Sequence, residues 1–205
     1  MAGFWALQID PSDVPDPELD PPSVEIGPER AVLAGGCFWC TEAVFKELAG
    51  VLSIRAGYAG GTAETANYSA VCSGKTDHAE AIELLYDSAR TSFGQILKIF
   101  FTIAHDPTQM NRQGNDRGRQ YRSAIFIVDD VQRKVARAYI AQLEDAGIYS
   151  APIKTELEPL RGFHEAEAAH QDYAARNPAQ PYISHTTKPK IDSLRKYFSD
   201  RVQLS

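Results

Sequence analysis

The sequence predicts an α+β fold, a two-layer sandwich around a mixed β-sheet. Three observations carry that reading. Apolar runs of strand length alternate with amphipathic helical stretches, and two strand runs follow one another with no helix between them. The chain has 205 residues and is 43% hydrophobic, enough for one well-filled core.

Residues 1–28 carry Pro11, Pro15, Pro17, Pro21, Pro22 and Pro28 among acidic residues and read as an extended N-terminal arm, leaving 29–205 as a single domain. Composition does not decide whether the arm lies against the domain. Ala31-Val32-Leu33-Ala34-Gly35 is a short buried strand, and Gly35-Gly36 permits a tight turn into a helix from about Phe38 to Leu48. A strand from Val51 to Gly57, a Gly/Thr/Ser-rich loop to about Thr76, and a strand over Glu80–Tyr86 follow; in the last, Ile82, Leu84 and Tyr86 alternate with Glu83 and Leu85. Thr91 or Ser92 caps a helix to about Ile103 that carries Phe93, Ile96, Leu97, Phe100 and Phe101. Asp106-Pro107 breaks it, and 111–119 is a polar, glycine-bearing loop. Ser123–Val128 is a strong strand, completing a βαββαβ order of ferredoxin-like type. Asp129 or Asp130 opens a helix to Asp145 with Gly147 as its stop; 153–158 reads as an edge strand, and 164–175 and 189–199 as C-terminal helices.

A net charge of -6 and a pI near 5.4 argue against a nucleic-acid surface. No apolar run approaches the roughly 20 residues of a membrane helix, and the first residues lack a basic region followed by a long apolar stretch. Three cysteines, Cys37, Cys40 and Cys72, are too few for a disulfide scaffold at this size. The expectation is a cytoplasmic protein with reduced thiols, acting as a monomer.

Cys37 falls where a strand gives way to a helix. Free amides and the positive end of the helix dipole stabilise a thiolate there, although a buried, inert cysteine is the plain alternative. Cys37-Phe38-Trp39-Cys40 is also a Cys-X-X-Cys, which serves a thiol-disulfide switch or half of a zinc site. Zinc wants a second close pair, and Cys72 with His78 is a poor one. Phe38 and Trp39 between the thiols suit an apolar pocket more than a surface that docks many proteins, though each alone is ordinary core. The glycines from Gly57 to Gly61 lack the rest of a dinucleotide fingerprint and read as a turn. Two polar clusters, Tyr68 to Glu80 and Gln113 to Ser123, lead into strands, and only strand order decides whether they meet Cys37.

Taken together, Gly36-Cys37-Phe38-Trp39, Gly57-Tyr58 with Gly60-Gly61, Tyr68 with Val71-Cys72-Ser73-Gly74, His78-Ala79-Glu80, and Gln113-Gly114-Asn115-Asp116 with Gln120-Tyr121-Arg122-Ser123 resemble peptide methionine sulfoxide reductase, type A, in order from about residue 30 to 183. The resemblance implies reduction of the S epimer of methionine sulfoxide, free or in proteins, with Cys37 as nucleophile. It implies that Phe38 and Trp39 hold the substrate methyl, that Glu80 protonates the sulfoxide oxygen, that Tyr68 and Tyr121 bind it, and that Asp116 is the acid nearby. A sulfoxide oxygen leaves only when protonated, and burial raises a carboxyl pKa enough to keep such an acid. The oxygen ends as a sulfenic acid that a thiol removes, so no bound cofactor is expected, only an external thiol such as thioredoxin or dithiothreitol.

The chain departs from the pattern at its end. Many relatives keep resolving cysteines in a glycine-rich tail, and Tyr182 to Ser205 contains none. Cys40, one helical turn from Cys37, is the first candidate resolver, with Cys72 inert and direct external reduction as the alternatives. Asp77 beside His78, where relatives often have glycine, alters the local turn; His78 is given no catalytic part.

Overall fold

The computed structural model describes residues 9–22 and 27–203, so the parts of the expected arm at 1–8 and 23–26 lie outside the described residues. Strand β1 (Pro28–Gly35) becomes fully buried from Ala31 onward and hands over through Gly36 to α1 (Phe38–Lys46). β2 (Val51–Ala59), α2 (Tyr68–Cys72) and β3 (Ala79–Asp87) follow, then α3 (Phe93–Ile99), which widens into a π-type turn through Ala104. A small hairpin, β4 (Arg112–Gln113) with β5 (Asp116–Arg117), precedes β6 (Ser123–Ile127) and α4 (Asp130–Asp145). The chain closes with β7 (Glu156–Pro159), β8 (Phe163–Glu165), the short α5 (Tyr173–Arg176), and a π-type turn Ile183–Thr187 running into α6 (Lys188–Tyr197).

Six strands form one mixed sheet in the order β7-β6-β1-β3-β2-β8, antiparallel throughout except for the parallel β6–β7 pair. β3 lies between β1 and β2, and its alternation puts Ile82, Leu84 and Tyr86 in the main core while Glu83 turns to the other face, paired with Arg30 and Arg55. Glu80 has the parity of the core residues. That places its carboxylate under the helices, beside α1. The opposite face is paved with small residues, Ala34, Ala59, Ala79, Ala81 and Ala124, around Val32 and Phe126, and is closed by Leu160 and Phe163.

Two expectations need correction. The stretch 164–175 is not one helix: β8 pairs with β2, and Gln171 then mimics a strand by accepting from Ala56 N (2.9 Å) and donating to the Ala56 and Ala166 carbonyls (2.9 and 2.8 Å). Tertiary pairing overrides a good helical composition here. The loop before Thr76 also holds α2, a single turn capped by Asn67 onto Ala70 N.

The described part of the arm lies against the domain. Val14 is buried, Asp16 pairs with Lys98, the Pro15 carbonyl accepts from Tyr139, and Asp20 accepts from Gly94 N at 3.0 Å and from Ser92 at the start of α3. At the other end, Gln203 N donates to Glu47 O, Ala49 N donates to Arg201 O (each 2.8 Å), and Leu48 bridges Val202, fastening the loop after α1.

Candidate active site

Cys37 is the N-cap of α1, its extended backbone (φ −58°, ψ 125°) letting its carbonyl accept from Cys40 N at 3.1 Å. Gly36 before it has φ +90°, and a Cβ there would stand 2.6 Å from Gln113 Cβ. Only glycine fits both demands, so the turn into α1 packs directly on the loop that leads to Asp116.

Seven residues singled out in the sequence line one cavity of about 140 Å³: Cys37, Phe38 and Trp39 from α1, Tyr68 from α2, Glu80 from β3, Asp116 from β5, and Tyr121 from the turn before β6. The two polar clusters do meet the thiol, because β3 neighbours β1 on one side and β6 neighbours it on the other. Tyr121 is anchored by the next residue, Arg122, which is buried and binds Glu158 (2.8 Å) and the Asp77 carbonyl (3.1 Å). His78, given no part in the chemistry, is buried away from the cavity, with Gly61 N on Nδ1 and the Thr62 carbonyl on Nε2.

Four wall residues were not visible in the sequence reading. His170 stacks on Tyr68 (4.3 Å) and on Trp39 (5.8 Å) and accepts from Trp39 Nε1 at 3.3 Å; Tyr173 covers the other part of the indole at 3.8 Å, nearly parallel. Tyr182 and Gln180 complete the cavity, and the Tyr182 hydroxyl donates to Asp116 at 2.5 Å. The aromatic and polar density of His170-Gln171-Asp172-Tyr173 was the one local signal for the first two. Tyr182 had none.

The electrostatics are set by burial. Glu80 is almost wholly enclosed; desolvation raises its pKa to about 8 against the opposing hydrogen bond from Phe38 N (3.0 Å), with Asp116 adding repulsion. Asp116 is likewise raised by burial, and so are the hydroxyls of Tyr68 and Tyr121. At neutral pH Glu80 and the two tyrosine hydroxyls therefore offer protonated donors around one sulfur.

A family model described as peptide methionine sulfoxide reductase matches residues 29–202. The chain belongs to the peptide methionine sulfoxide reductase family. It is 50% identical to "Peptide methionine sulfoxide reductase MsrA 2" of Synechocystis over 93% of this chain and 90% of that one, and 49% identical to the Natronomonas pharaonis protein named MsrA over 84% and 96%. Among solved structures it is similar to the methionine sulfoxide reductase A of Corynebacterium diphtheriae (TM-score 0.65, 34% identity, 84% of this chain and 88% of that one). It is also similar to Mxr1 of Saccharomyces cerevisiae in its reduced form (TM-score 0.68, 33% identity, 75% and 87%).

In this reductase a second cavity of about 110 Å³ lies behind the first, shared by Cys37, Cys40, Asp116, Tyr182 and Lys190. Cys40 lies 3.1 Å from the Thr187 hydroxyl and 3.6 Å from that of Tyr182. Burial and the neighbouring cysteine, more than the helix N-terminus, set the acidity of Cys37. Burial pushes the Cys37 thiol well above its ordinary value, and its hydrogen bond to Cys40 adds to this. The same hydrogen bond, helped by the Lys190 charge and Thr187, brings Cys40 down to about 6. The first free amide of α1, Phe38 N, is taken by Glu80 and gives nothing to the sulfur. All three cysteines are free thiols, and Cys72 stands apart beside Tyr68, its pKa raised by burial. Among the described residues no group of His, Cys, Asp and Glu is arranged to hold a metal ion, and no helix is long and apolar enough to cross a membrane.

Proposed function

We propose that this reductase repairs the S epimer of methionine sulfoxide, in proteins and free, through a sulfenic acid on Cys37. Cys37 attacks the sulfoxide sulfur while its proton passes to the neighbouring Cys40 thiolate. Glu80 delivers a proton to the oxygen, and Tyr68, Tyr121 and Asp116 steady that oxygen by hydrogen bonding. Phe38 and Trp39 receive the methyl group. The products are methionine, Cys37 sulfenic acid, a Cys40 thiol and a Glu80 carboxylate, so protons balance. The observation that carries this reading is Glu80, an acid held protonated to about pH 8 at the wall shared with Cys37.

Resolution follows by Cys40 attack on the Cys37 sulfenic acid, forming a disulfide and water. Thioredoxin or dithiothreitol then returns both thiols, with no bound cofactor, and the protein works as a monomer in the cytoplasm. The family match over 29–202 supports one catalytic domain behind an N-terminal extension, and the central order β6-β1-β3-β2 supports a ferredoxin-like core. An apolar wall, a proton-donating wall and a sulfur at fixed positions favour one hand of a chiral sulfoxide. The test is incubation with the separated R and S sulfoxides and dithiothreitol: only the S form should be consumed, and equal use of both overturns the assignment.

A further inference from the structure

A disulfide between Cys37 and Cys40 has two sulfurs, and the surroundings of each decide which one a reducing thiol strikes. Cys40 is 2% exposed and lies in the inner cavity with Lys190, itself 3% exposed. The Lys190 ammonium donates to the Ala104 carbonyl at 2.6 Å and, among the described residues, pairs with no carboxylate within salt-bridge distance. A buried cation without an anion is costly, and the cavity offers two, the Cys40 sulfur and the Asp116 carboxyl, of which Asp116 is already taken by the Tyr182 hydroxyl. The Thr187 hydroxyl is placed to donate to the same sulfur. Cys37 lines the same cavity but has no hydroxyl contact of this kind. Its side chain makes no capping hydrogen bond, and its open side faces the substrate cavity.

We propose that Lys190 and Thr187 are positioning residues that hold Cys40 as the departing thiolate, so that the reducing thiol attacks Cys37 through the substrate cavity. This rests on the reading of Cys40 as resolver. The incoming thiolate forms a bond to Cys37 Sγ, the Cys37–Cys40 bond breaks, and its electron pair leaves on Cys40. The reductant's second thiol then attacks its own sulfur of the mixed disulfide and frees Cys37. In-line displacement requires approach from the side of Cys37 away from Cys40, which is the substrate side. The groups facing Cys40 are Cys37 from α1, Glu80 from β3, Asp116 from β5, Tyr182 and Thr187 from the turn before α6, and Lys190 from α6.

The experiment oxidises the full chain with methionine sulfoxide, removes the excess, and adds a thioredoxin whose second active-site cysteine is serine. Acid quenching within the first turnover and fragment-ion sequencing locate the adduct. An adduct on Cys37 with Cys40 free supports the proposal; an adduct on Cys40 overturns it. Absence of any Cys37–Cys40 disulfide before thioredoxin is added overturns the resolver reading as well, and so separates the two failures. Lys190→Met should move the pH midpoint of Cys40 alkylation upward by about one pH unit, and Lys190→Arg should restore it. An unmoved midpoint overturns the role of Lys190. Should Lys190→Met not fold, Thr187→Val carries the same test.

Discussion

Glu80 Oε2 accepts the amide proton of Phe38 at 3.0 Å, which joins the acid of β3 to the first turn of α1 as one unit. Glutamine keeps an oxygen acceptor for that amide and removes the transferable proton. Glu80→Gln should therefore lower kcat/KM for the sulfoxide by about a hundredfold or more, while alkylation of Cys37 stays measurable.

The pH dependence follows from the same carboxyl. Its folded pKa, about 8, is raised from 4.5, so the acid form is present below and lost as pH rises through 8. Sulfoxide reduction by the wild-type protein should decline across that range in single-turnover assays, and the limb should vanish in Glu80→Gln. Stability has the same sign: the contribution from neutral Glu80 is complete below pH 4.5 and is lost as pH rises through about 8. Denaturation midpoints measured at pH 5 and pH 9 should differ less in Glu80→Gln than in the wild type.

Cys40→Ser removes the sulfur one turn from Cys37. Oxidation by one equivalent of methionine sulfoxide should then leave a sulfenic acid in place of a disulfide, and thioredoxin-supported turnover should drop at least about tenfold. Mass measurement after trapping the sulfenic acid reads the first, steady-state kinetics the second; normal turnover with thioredoxin defeats the resolver assignment.

His170→Ala deletes a ring that touches both Trp39 and Tyr68. Each lost aromatic pair is worth about 0.5–1.5 kcal/mol, so KM for a sulfoxide-bearing peptide should rise roughly tenfold with a smaller change in kcat. A KM within twofold of wild type would mean that the ring does not order the wall.

Asp20→Ala cuts the arm from α3, where its carboxylate serves Gly94 N and Ser92. Loss of a helix cap costs about 1 kcal/mol, which a urea midpoint detects, and kcat/KM should be unchanged because, among the described residues, none of the arm lines the cavity.

The site was legible in the sequence where chemistry and a local turn coincide. Cys37 follows a glycine that has no substitute at φ +90°, and Glu80 enters a strand whose alternation fixes its face. What stayed hidden was long-range. Tyr182 meets Asp116 across 66 positions, and nothing in Gln180-Pro181-Tyr182 marks it. The segment at 164–175 carries helical composition but spends Gln171 on the backbone of β2, a use that composition does not encode. Helix position alone does not encode the competing demand of Glu80 for the Phe38 amide, which is a tertiary fact. The arm's packing was undecided by its composition, since one valine, two carboxylates and one carbonyl suffice to fasten it.

The contacts of Arg201, Val202 and Gln203 with the loop after α1 have a consequence for synthesis on the ribosome. The helix that carries Cys37 is made early, yet the clasp behind it, and Lys190 and Tyr182 beside its thiols, emerge well over a hundred residues later. A nascent chain halted before these residues holds a solvated Cys37–Cys40 pair without its wall. Redox competence is thus reached only after these later residues have emerged, a timing that vectorial synthesis imposes on any centre assembled from segments far apart in the chain.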